Sequence, residues 1–503
     1  MHGANVIVRR VPADLVIRNV RIIDGTGAPA FDGDVEVTDG RISGVGEAHD
    51  VDPGTTELDG AGHVVSPGFV DTHTHDDGAL LVHPGLEFKV AQGVTTLVIG
   101  NCGSSAIPNR PGEAPPGGLL GRLGGEWTGL SGFREAVHAR RPAANSIALI
   151  GHNTMRQLVM GTEKRAPTGP ELAEMRGFVE QAMADGACGF STGLIYVPGR
   201  YSDTDEVVAL AEPAGAAAGV YATHMRNEAD RLLEAVEEAI TVGQRSGCAV
   251  HISHHKAAGQ PNWGKVGDSL ALVDRANAEG ADVTLDVYPY TAGSGRMIEY
   301  FNLDRISTGL AEVIRLASCP AFPEYEGRML TDIAVAEGIG LDDLVRRILT
   351  AEKGDRTLCI HFIIDEADIE TNLRHPLMMI GSDGIPDLKG QPHPRLFGTY
   401  PRVLGEYVRE RGVLTLEEAV RRMTSLSCDR FGLTNRGRLF EGQHADLVVF
   451  DPDTVVDTAT YDDPKQEPTG IDWVIVNGEV TVDHGRHTGA GAGRLLHYRQ
   501  DTA

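Results

Sequence analysis

Short apolar stretches alternate with helical stretches through the middle of this chain, and this alternation restricts the fold more than any other feature. The apolar stretches have the length of strands and lie at residues 64–71, 94–99, 146–150, 187–191, 220–223, 249–253, 283–287 and 378–381. Between them, apolar residues recur at helical spacing, for example over 171–184, 229–246 and 268–279. Eight β-α alternations over about 360 residues predict an α/β protein with a parallel (β/α)8 barrel, and a doubly wound sheet is the alternative.

Both ends of the chain carry a different pattern, in which short strands are separated by tight turns. Residues 14–65 alternate β-rich runs with Asp-Gly pairs, which are typical of hairpins, and runs at 445–450 and 473–478 repeat the pattern. Neither end alone makes a convincing sheet, so we predict one small β-domain built from both termini. The predicted boundaries are residues 1–65 plus 435–503 for this domain and 66–434 for the barrel.

Two segments of the central region are longer than a simple connection requires. Residues 296–357 exceed the length of a βα connection, so we predict an inserted helical subdomain or lid. Residues 108–130 are rich in proline and glycine and are predicted to form a long loop over the mouth of the barrel.

The composition narrows the class of protein. With 503 residues, the chain is longer than one core usually organises, which favours a large domain plus a smaller one. Lys and Arg number 45 against 71 Asp and Glu, and the net charge of −26 argues against nucleic acid and anionic membranes as partners. Six scattered cysteines without C-x-x-C spacing fit a reducing compartment. We found neither a signal peptide nor an apolar run of about 20 residues, so we expect a cytoplasmic protein.

The first predicted barrel strand runs into the sequence Asp71-Thr72-His73-Thr74-His75. Residues i and i+2 of a strand point to the same face, so His73 and His75 are expected to project together, as two ligands of one metal must. A bare H-x-H pattern is short, and two ordinary polar side chains on a strand are the alternative.

Further residues of the metal-binding types follow other predicted strands. Cys102 follows the second strand, His224 ends the fifth, His254 and His255 end the sixth, and Asp383 follows the eighth. A single buried cysteine or histidine is more often structural. In a barrel, however, function gathers at the carboxyl ends of the strands, and so many such residues at those ends indicate a metal site.

These residues lie in motifs through which the chain resembles the amidohydrolase superfamily and, within it, the D-aminoacylases, or N-acyl-D-amino-acid deacylases. The matching motifs keep their order over nearly the whole chain and are SPGFVDTHTHDD (66–77), GVTTLVIGNCG (93–103), GHNTMR (151–156), FSTGLIYVPGRYSDTDE (190–206), THMRNE (223–228), ISHHK (252–256), DVYPYTAGS (286–294), IGSDG (380–384), PHPRLFGTYPRVL (392–404) and GRLFEGQHADLVVFDP (437–452).

The resemblance implies a barrel capped by a β-sandwich and a zinc centre. It implies one tight zinc site and leaves a second, weaker site open. Cys102 would take the place that a carboxylated lysine fills in many relatives, and the fourth strand at 187–191 indeed contains no lysine. The family register favours His254 over His255 as the ligand, with His255 turned into the packing. The implied metal ligands are His73, His75, Cys102, His224 and His254.

The resemblance also implies the roles of the other site residues. Asp383 would be the general base and acid, although an aspartate before glycine is also a common turn residue. Lys256 and Arg395 would bind the α-carboxylate of the substrate, since arginine can form a bidentate pair with a carboxylate. Further substrate-binding counterparts are Tyr290, Ser294, Tyr196 and His152, the last against the amide carbonyl or in support of the ligands.

The implied function is zinc-dependent hydrolysis of the amide bond of N-acyl-D-amino acids, or of dipeptides ending in a D-residue. Arg296 departs from the small or apolar residues of many relatives; it could favour acidic side chains or could be a solvated lid residue. An amidohydrolase that opens cyclic imides or deaminates is an alternative, and a non-catalytic scaffold relative is another. The chain has no G-x-S-x-G motif, which disfavours a serine hydrolase. The expected partner is a small-molecule substrate, and no oligomeric state is predicted.

Overall fold

The computed structural model describes residues 13–46, 55–112, 124–304 and 306–499. Its central sheet contains eight parallel strands, and the predicted fold class, an α/β barrel with a second sheet from the termini, is confirmed. Each of the eight predicted stretches contributes a barrel strand; seven have ends within a few residues of the prediction, and only the second part of 64–71 belongs to the barrel. The barrel strands are Phe69–Asp71, Val94–Ile99, Asn145–Gly151, Gly189–Gly193, Val220–His224, Ala249–Ile252, Val283–Val287 and Met378–Ile380.

The strands follow one another around the barrel in chain order, each parallel to its neighbour. The first and eighth strands meet just beyond their carboxyl ends. Thr74 and Gly384 form a parallel bridge there, and the backbone N–H of Asp383 donates to the carbonyl oxygen of His73 at 2.8 Å. Because the sheet order is sequential and the ends meet, the doubly wound alternative does not apply.

Amphipathic helices cover the outside of the barrel, as the spacing of apolar residues predicted. The second of the predicted helices begins at Leu232, and the first begins at Gly169, earlier than its periodicity suggested, because Thr168 and Glu171 form a reciprocal capping box. Such a cap stabilises a helix by roughly 1 kcal/mol. The helices outside the 296–357 segment are Ala79–Val82, Glu87–Val90, Leu130–Arg140, His152–Met160, Gly169–Ala184, Thr204–Ala216, Leu232–Ser246, Lys265–Ala278, Glu366–Arg374, Arg395–Arg402, the π-helical Val403–Glu410, Leu416–Met423 and Ser425–Arg430.

The stretch predicted as one strand over 64–71 is divided between the two sheets, which corrects that prediction. Val64–Pro67 pairs with Leu447–Phe450 in the terminal sheet, whereas Phe69–Asp71 begins the barrel. The chain changes sheets at Gly68. A Cβ atom there would lie only 2.2 Å from the side chain of Thr95, so this close approach requires glycine.

The two ends of the chain form one nine-stranded sheet. Its first strands curl back toward the later ones: the backbone N–H of Ile42 donates to Gln443, and that of Ala445 donates to Gly40. The curled sheet encloses its own apolar core, to which Ile17, Val35 and Trp473 contribute. The strands are Leu15–Ile22, Phe31–Thr38, Arg41–Gly46, Thr56–Asp59, Val64–Pro67, Leu447–Phe450, Ile471–Val476, Glu479–Asp483 and Arg486–His487.

The inserted segment at 292–362, between the seventh and eighth barrel strands, has a core of its own, built from residues such as Leu316, Tyr325 and Ile348. It contains strands as well as the predicted helices, and its sheet is antiparallel. Its strands are Ala292–Arg296, Ile314–Ser318 and Leu358–Phe362, and its helices are Thr308–Ala311, Leu330–Glu337 and Leu341–Thr350.

The loop predicted over 108–130 is described at its two ends. The backbone N–H of Asn109 donates to Thr128 at 3.0 Å, which ties these ends together, and residues 113–123 lie outside the described ranges. In the part of the chain that the structure describes, none of the helices combines the length and apolar character that a membrane span needs.

Candidate metal centre and active site

Five barrel strands deliver their last or following residues to one buried cluster at the carboxyl end of the barrel. Each of these side chains is at most about a tenth exposed. The cluster consists of His73 and His75 after the first strand, Cys102 after the second, His224 at the end of the fifth, His254 after the sixth and Asp383 after the eighth. The imidazoles of His73 and His75 face the same centre, with ring centroids 5.4 Å apart, although the strand already ends at Asp71.

The thiol of Cys102 lies among three imidazoles. Its Sγ atom is 3.2 Å from Nε2 of His73, 3.4 Å from Nε2 of His254 and 3.6 Å from Nδ1 of His224. Two donors of one tetrahedral zinc ion are about 3.6 Å apart when the zinc–sulfur and zinc–nitrogen distances are about 2.3 and 2.1 Å. Burial raises the pKa of Cys102, but His73 and His254 outweigh it and hold the pKa well below its usual value. A thiolate with several imidazoles is a donor set that fits zinc.

A second group of possible ligands shares His73 with the first. Asp383 Oδ1 is 3.1 Å from Nε2 of His75 and 3.6 Å from Nε2 of His73. Ligand atoms of His73, His75 and Asp383 lie within 4.8 Å of one another, as do those of His73, Cys102 and His254. These two groups therefore offer two adjoining positions for a cation, joined through the imidazole of His73.

Three residues of the cluster have a backbone conformation that side chains rarely adopt. The φ angles of Cys102, His254 and Asp383 are 52°, 34° and 50°. Such conformations cost of order 1–3 kcal/mol each and persist where the surrounding structure imposes them. Their concentration at the strand ends indicates that the loops are shaped to aim these side chains.

Asp383 lies between the imidazoles and a buried arginine. Arg395 Nη1 is 2.9 Å from Asp383 Oδ2, and the Arg395 side chain is fully buried. Burial raises the pKa of Asp383, but Arg395 and His75 outweigh it and hold the pKa well below its usual value. The carboxylate is therefore ionised, with Oδ1 facing the imidazoles and Oδ2 facing the guanidinium.

The two predicted carboxylate-binding cations lie against one aromatic ring, that of Tyr288. The centroid of this ring is 4.4 Å from Cζ of Arg395 and 5.6 Å from Nζ of Lys256. The predicted substrate-binding residue Tyr290 points elsewhere: its hydroxyl donates to Asp457 at 3.3 Å, and Arg402 covers its ring. The strand ends at Val287, so the two tyrosines do not share a strand face, and the structure brings Tyr288 to the cluster in place of Tyr290.

The remaining predicted site residues are divided between the cluster and its surroundings. Tyr196 packs against the ring of His224, with centroids 4.7 Å apart. Ser294 contacts the cluster through its carbonyl oxygen, which accepts from Arg395 at 3.3 Å. His152 lies apart from the ligand groups and pairs with Glu206 at 2.9 Å. Arg296 donates to the carbonyl oxygen of Asp355.

His255 turns away from the cluster, in agreement with the sequence interpretation. Its Nδ1 lies 2.8 Å from Oδ1 of Asn372, and its Nε2 lies 2.6 Å from Oγ of Ser269. Burial lowers the pKa of His255 to about 4, so this imidazole is neutral at neutral pH and serves the packing.

Two buried carboxylates that were not predicted as site residues lie beneath the histidines. Asp286 accepts from the backbone N–H of His254 at 2.7 Å, lies 2.7 Å from Nε2 of His251 and lies 3.6 Å from Nδ1 of His73. Glu228 lies 2.9 Å from Nδ1 of His254. Both carboxylates stand in the motifs already quoted, THMRNE and DVYPYTAGS, and the spacing of His224 and Glu228 by four residues was the available signal.

A buried lysine that lies outside those motifs was also missed. Nζ of Lys89 lies 2.8 Å from Asp71, 3.3 Å from Asp76 and 2.7 Å from the hydroxyl of Ser382. The backbone N–H of Gly384 donates to the same hydroxyl, and the N–H of Ser382 donates to Asp71. Both neighbours of Asp383 in the chain are thus anchored to this charged network.

A cavity of about 880 Å³ lies at the opposite end of the barrel. Val220, Ala249 and Val283, each at the start of a barrel strand, contribute to its lining. Because barrels perform their chemistry at the carboxyl ends of the strands, this cavity is not the candidate active site.

Comparison with known proteins shows which family and which solved structures the chain is similar to. Residues 253–482 match the amidohydrolase family. The chain is 42% identical over 487 residues to a D-aminoacylase of Alcaligenes xylosoxydans xylosoxydans, a match that covers 96% of this chain and 98% of the relative. The structure of N-acyl-D-glutamate deacylase from Bordetella bronchiseptica, complexed with zinc and a phosphonate mimic of the tetrahedral intermediate, has a TM-score of 0.90 at 39% identity and covers 97% of this chain and 100% of that one. A structure of D-aminoacylase matches with a TM-score of 0.88 at 41% identity and covers 97% of this chain and 100% of that one. That enzyme has a binuclear metal centre, with activation by one metal and attenuation by the second.

Proposed function

Because the chain belongs to the amidohydrolase family, and within it to the D-aminoacylases, we propose that it hydrolyses the amide bond of N-acyl-D-amino acids, or of dipeptides that end in a D-residue. The products are a carboxylate and a free D-amino acid. The observation that carries this proposal is the buried cluster itself, in which a thiolate among three imidazoles adjoins an ionised aspartate and two cations.

The donor atoms support zinc as the metal. Cys102 with His73 and His254 would hold one ion tightly, and His224, whose Nδ1 lies 3.6 Å from the same sulfur, is proposed as a further ligand. His75 with Asp383 would complete a second, weaker position that shares His73. When bound, zinc supplies a Lewis acid that polarises the scissile carbonyl and lowers the pKa of the attacking water.

Asp383 is proposed to move the proton. Its Oδ1 atom faces the imidazoles, where the water attacks, and takes the proton as a general base. Arg395 keeps this carboxylate ionised before the attack. Protonated Asp383 is proposed to pass this proton to the leaving amine.

Lys256 and Arg395 are proposed to bind the α-carboxylate of the substrate, with Tyr288 between them in the place first given to Tyr290. Tyr196 and Ser294 are proposed to line the same space, whereas His152 pairs with Glu206 outside it.

This arrangement makes the site selective for one enantiomer. With the carboxylate held by the cations and the amide carbonyl held at the imidazoles, two substituents of Cα are fixed in space. Only one enantiomer can then direct its side chain into open space. We infer that this is the D-enantiomer, because the relatives are a D-aminoacylase and an N-acyl-D-glutamate deacylase.

We also propose that the protein acts in the cytoplasm on a small-molecule substrate. All six cysteines lie in the described ranges, are buried and are free of disulfide bonds, which fits a reducing compartment.

The test is a panel of N-acetyl-D- and N-acetyl-L-amino acids, run with the zinc-loaded protein and again after chelation. We expect hydrolysis of the D-forms only, lost on chelation and restored by zinc. Equal hydrolysis of both forms would refute the D-aminoacylase assignment. Faster turnover of cyclic imides would favour the ring-opening alternative, and turnover of no substrate by zinc-loaded protein would favour the scaffold alternative.

A further inference from the structure

The carboxylate of Glu228 lies between the candidate metal ligands and the candidate substrate-binding lysine. Its Oε1 atom is 2.9 Å from Nδ1 of His254 and 2.7 Å from Nζ of Lys256, while its Oε2 atom is 3.5 Å from Nε2 of His224. The side chain is about a tenth exposed, and it follows His224 by four residues in the loop after the fifth barrel strand.

Both imidazoles present their other nitrogen to Cys102. His254 directs Nε2 to the sulfur at 3.4 Å, and His224 directs Nδ1 to it at 3.6 Å. Glu228 therefore faces the nitrogen of each ring that points away from the thiolate. A carboxylate at hydrogen-bond distance, as at 2.9 Å from His254, accepts the remaining N–H, selects the tautomer and orients the ring toward a metal. Nε2 of His224, at 3.5 Å, is within ion-pair distance of the same carboxylate but is not hydrogen-bonded to it.

The same carboxylate also holds the ammonium group of Lys256. Nζ of Lys256 donates to Oε1 of Glu228 at 2.7 Å and lies 2.8 Å from Nδ1 of His254, so the carboxylate is the group that holds it. A protonated Nδ1 and an ammonium group repel each other, and the shared anion is what allows them to lie so close.

We propose that Glu228 is a positioning residue that orients His224 and His254 toward the metal and at the same time places Lys256 for the carboxylate of the substrate. The second half of this proposal rests on the proposed function. One buried anion would thereby fix the distance between the reacting carbonyl and the carboxylate anchor, on which correct orientation of the scissile bond depends.

Ligand atoms of His224, Glu228 and His254 lie within 4.8 Å of one another, so Glu228 could instead be a metal ligand. The ammonium group of Lys256, 2.7 Å from Oε1, already supplies the positive charge at this carboxylate. A metal ion there would face that charge directly, which favours the positioning role.

The test compares Glu228→Gln, which keeps the shape of the side chain but removes its charge, with Glu234→Gln. Glu234 is an exposed glutamate of the following helix that pairs with Arg231, so it is a matched control. The first measurement is the zinc dissociation constant by competition with a chromophoric chelator. The second is the ratio of kcat/KM for an N-acetyl-D-amino acid to that for its primary carboxamide, at saturating zinc.

For Glu228→Gln we expect the zinc dissociation constant to rise about 10–100-fold and the acid-to-carboxamide ratio to fall about ten-fold, whereas Glu234→Gln changes neither. A purely structural role would reduce the folded fraction and leave both quantities unchanged in the folded protein, and that result would overturn the proposal. Loss of a whole equivalent of zinc at saturation would identify Glu228 as a ligand and also overturn it. A wild-type protein that hydrolyses no N-acyl-D-amino acid would refute the proposed function, and the zinc constant would still decide the role of Glu228 at the imidazoles.

Discussion

We expect the buried ammonium group of Lys89 to contribute strongly to the stability of the barrel, and the variant Lys89→Met tests this contribution. The side chain is fully buried and its Nζ atom contacts Asp71, Asp76 and Ser382 within 3.3 Å. Methionine has a similar length and fills the space, so the change mainly removes the charge. Two buried carboxylates are then left without their cation, and the hydroxyl of Ser382 loses a donor.

Removal of one partner from a buried ion pair costs about 3–5 kcal/mol of the free energy of unfolding. Because Lys89→Met leaves three polar groups without their partner, we expect a loss at the upper end of this range, about 5 kcal/mol. Ser382 and Gly384 adjoin Asp383 and are tied to this network, so kcat should fall as well.

The loss should also depend on pH. Burial raises the pKa of Asp76 and Lys89 opposes this effect, so the pKa of Asp76 rises further when the ammonium group is removed. A carboxyl group whose folded pKa exceeds its unfolded value of about 3.9 binds more protons in the native state, and stability is then lost as the pH rises through the folded pKa. The free-energy difference between wild type and variant should therefore be larger at about pH 8 than at about pH 5.5.

Urea unfolding followed by tryptophan fluorescence at both pH values measures these differences, with the exposed Lys389→Met as the control. A loss below about 1 kcal/mol, within the range of ordinary surface substitutions, would refute the argument that this network stabilises the barrel. A difference that is the same at both pH values would refute the assignment of Asp76 as the group that takes up the proton.

Three further predictions concern the site. Cys102→Ala should lose most zinc and activity, because the thiolate is the softest ligand of the site. Cys188 is a buried thiol away from the cluster, so the control variant Cys188→Ala should retain zinc. Metal analysis that finds full zinc in Cys102→Ala would contradict the assignment of Cys102 as a ligand. Asp383→Asn should keep zinc and fold but lose about 10²–10⁴-fold in kcat, and a steady-state assay showing less than a ten-fold loss would mean that another group moves the proton. Arg395→Met should raise KM, lower kcat and reduce the preference for D- over L-substrates, because Arg395 contacts Asp383 and is proposed to bind the substrate carboxylate. An unchanged ratio of kcat/KM for D- and L-substrates would exclude Arg395 as the anchor of that carboxylate.

Much of the fold followed from local sequence patterns. Alternation of short apolar strands with helical periodicity specified all eight barrel strands, because these periods reflect which residues each element buries. The metal-type residues at strand ends could be grouped from their positions in the sequence, since parallel strands of a barrel present their carboxyl ends at one face. The contacts of Cys102 with His73, His224 and His254 are the result of that convergence.

Other features depended on contacts between distant segments. The stretch 64–71 reads as one strand, but Gly68 passes so close to Thr95 that the chain changes sheets there. Tyr288 and Tyr290 are equally plausible from sequence, and only the turn after Val287 decides that Tyr288 faces Arg395.

The supporting charges were hidden for the same reason. Glu228, Asp286 and Lys89 resemble ordinary polar residues in the sequence, because a charged side chain gains its role from the partners that surround it after folding. Local sequence patterns predict the elements, their order and the types of residue at the strand ends. The buried charges behind those residues are recognisable only in the folded chain, because they depend on how loops from separate strands pack over one another.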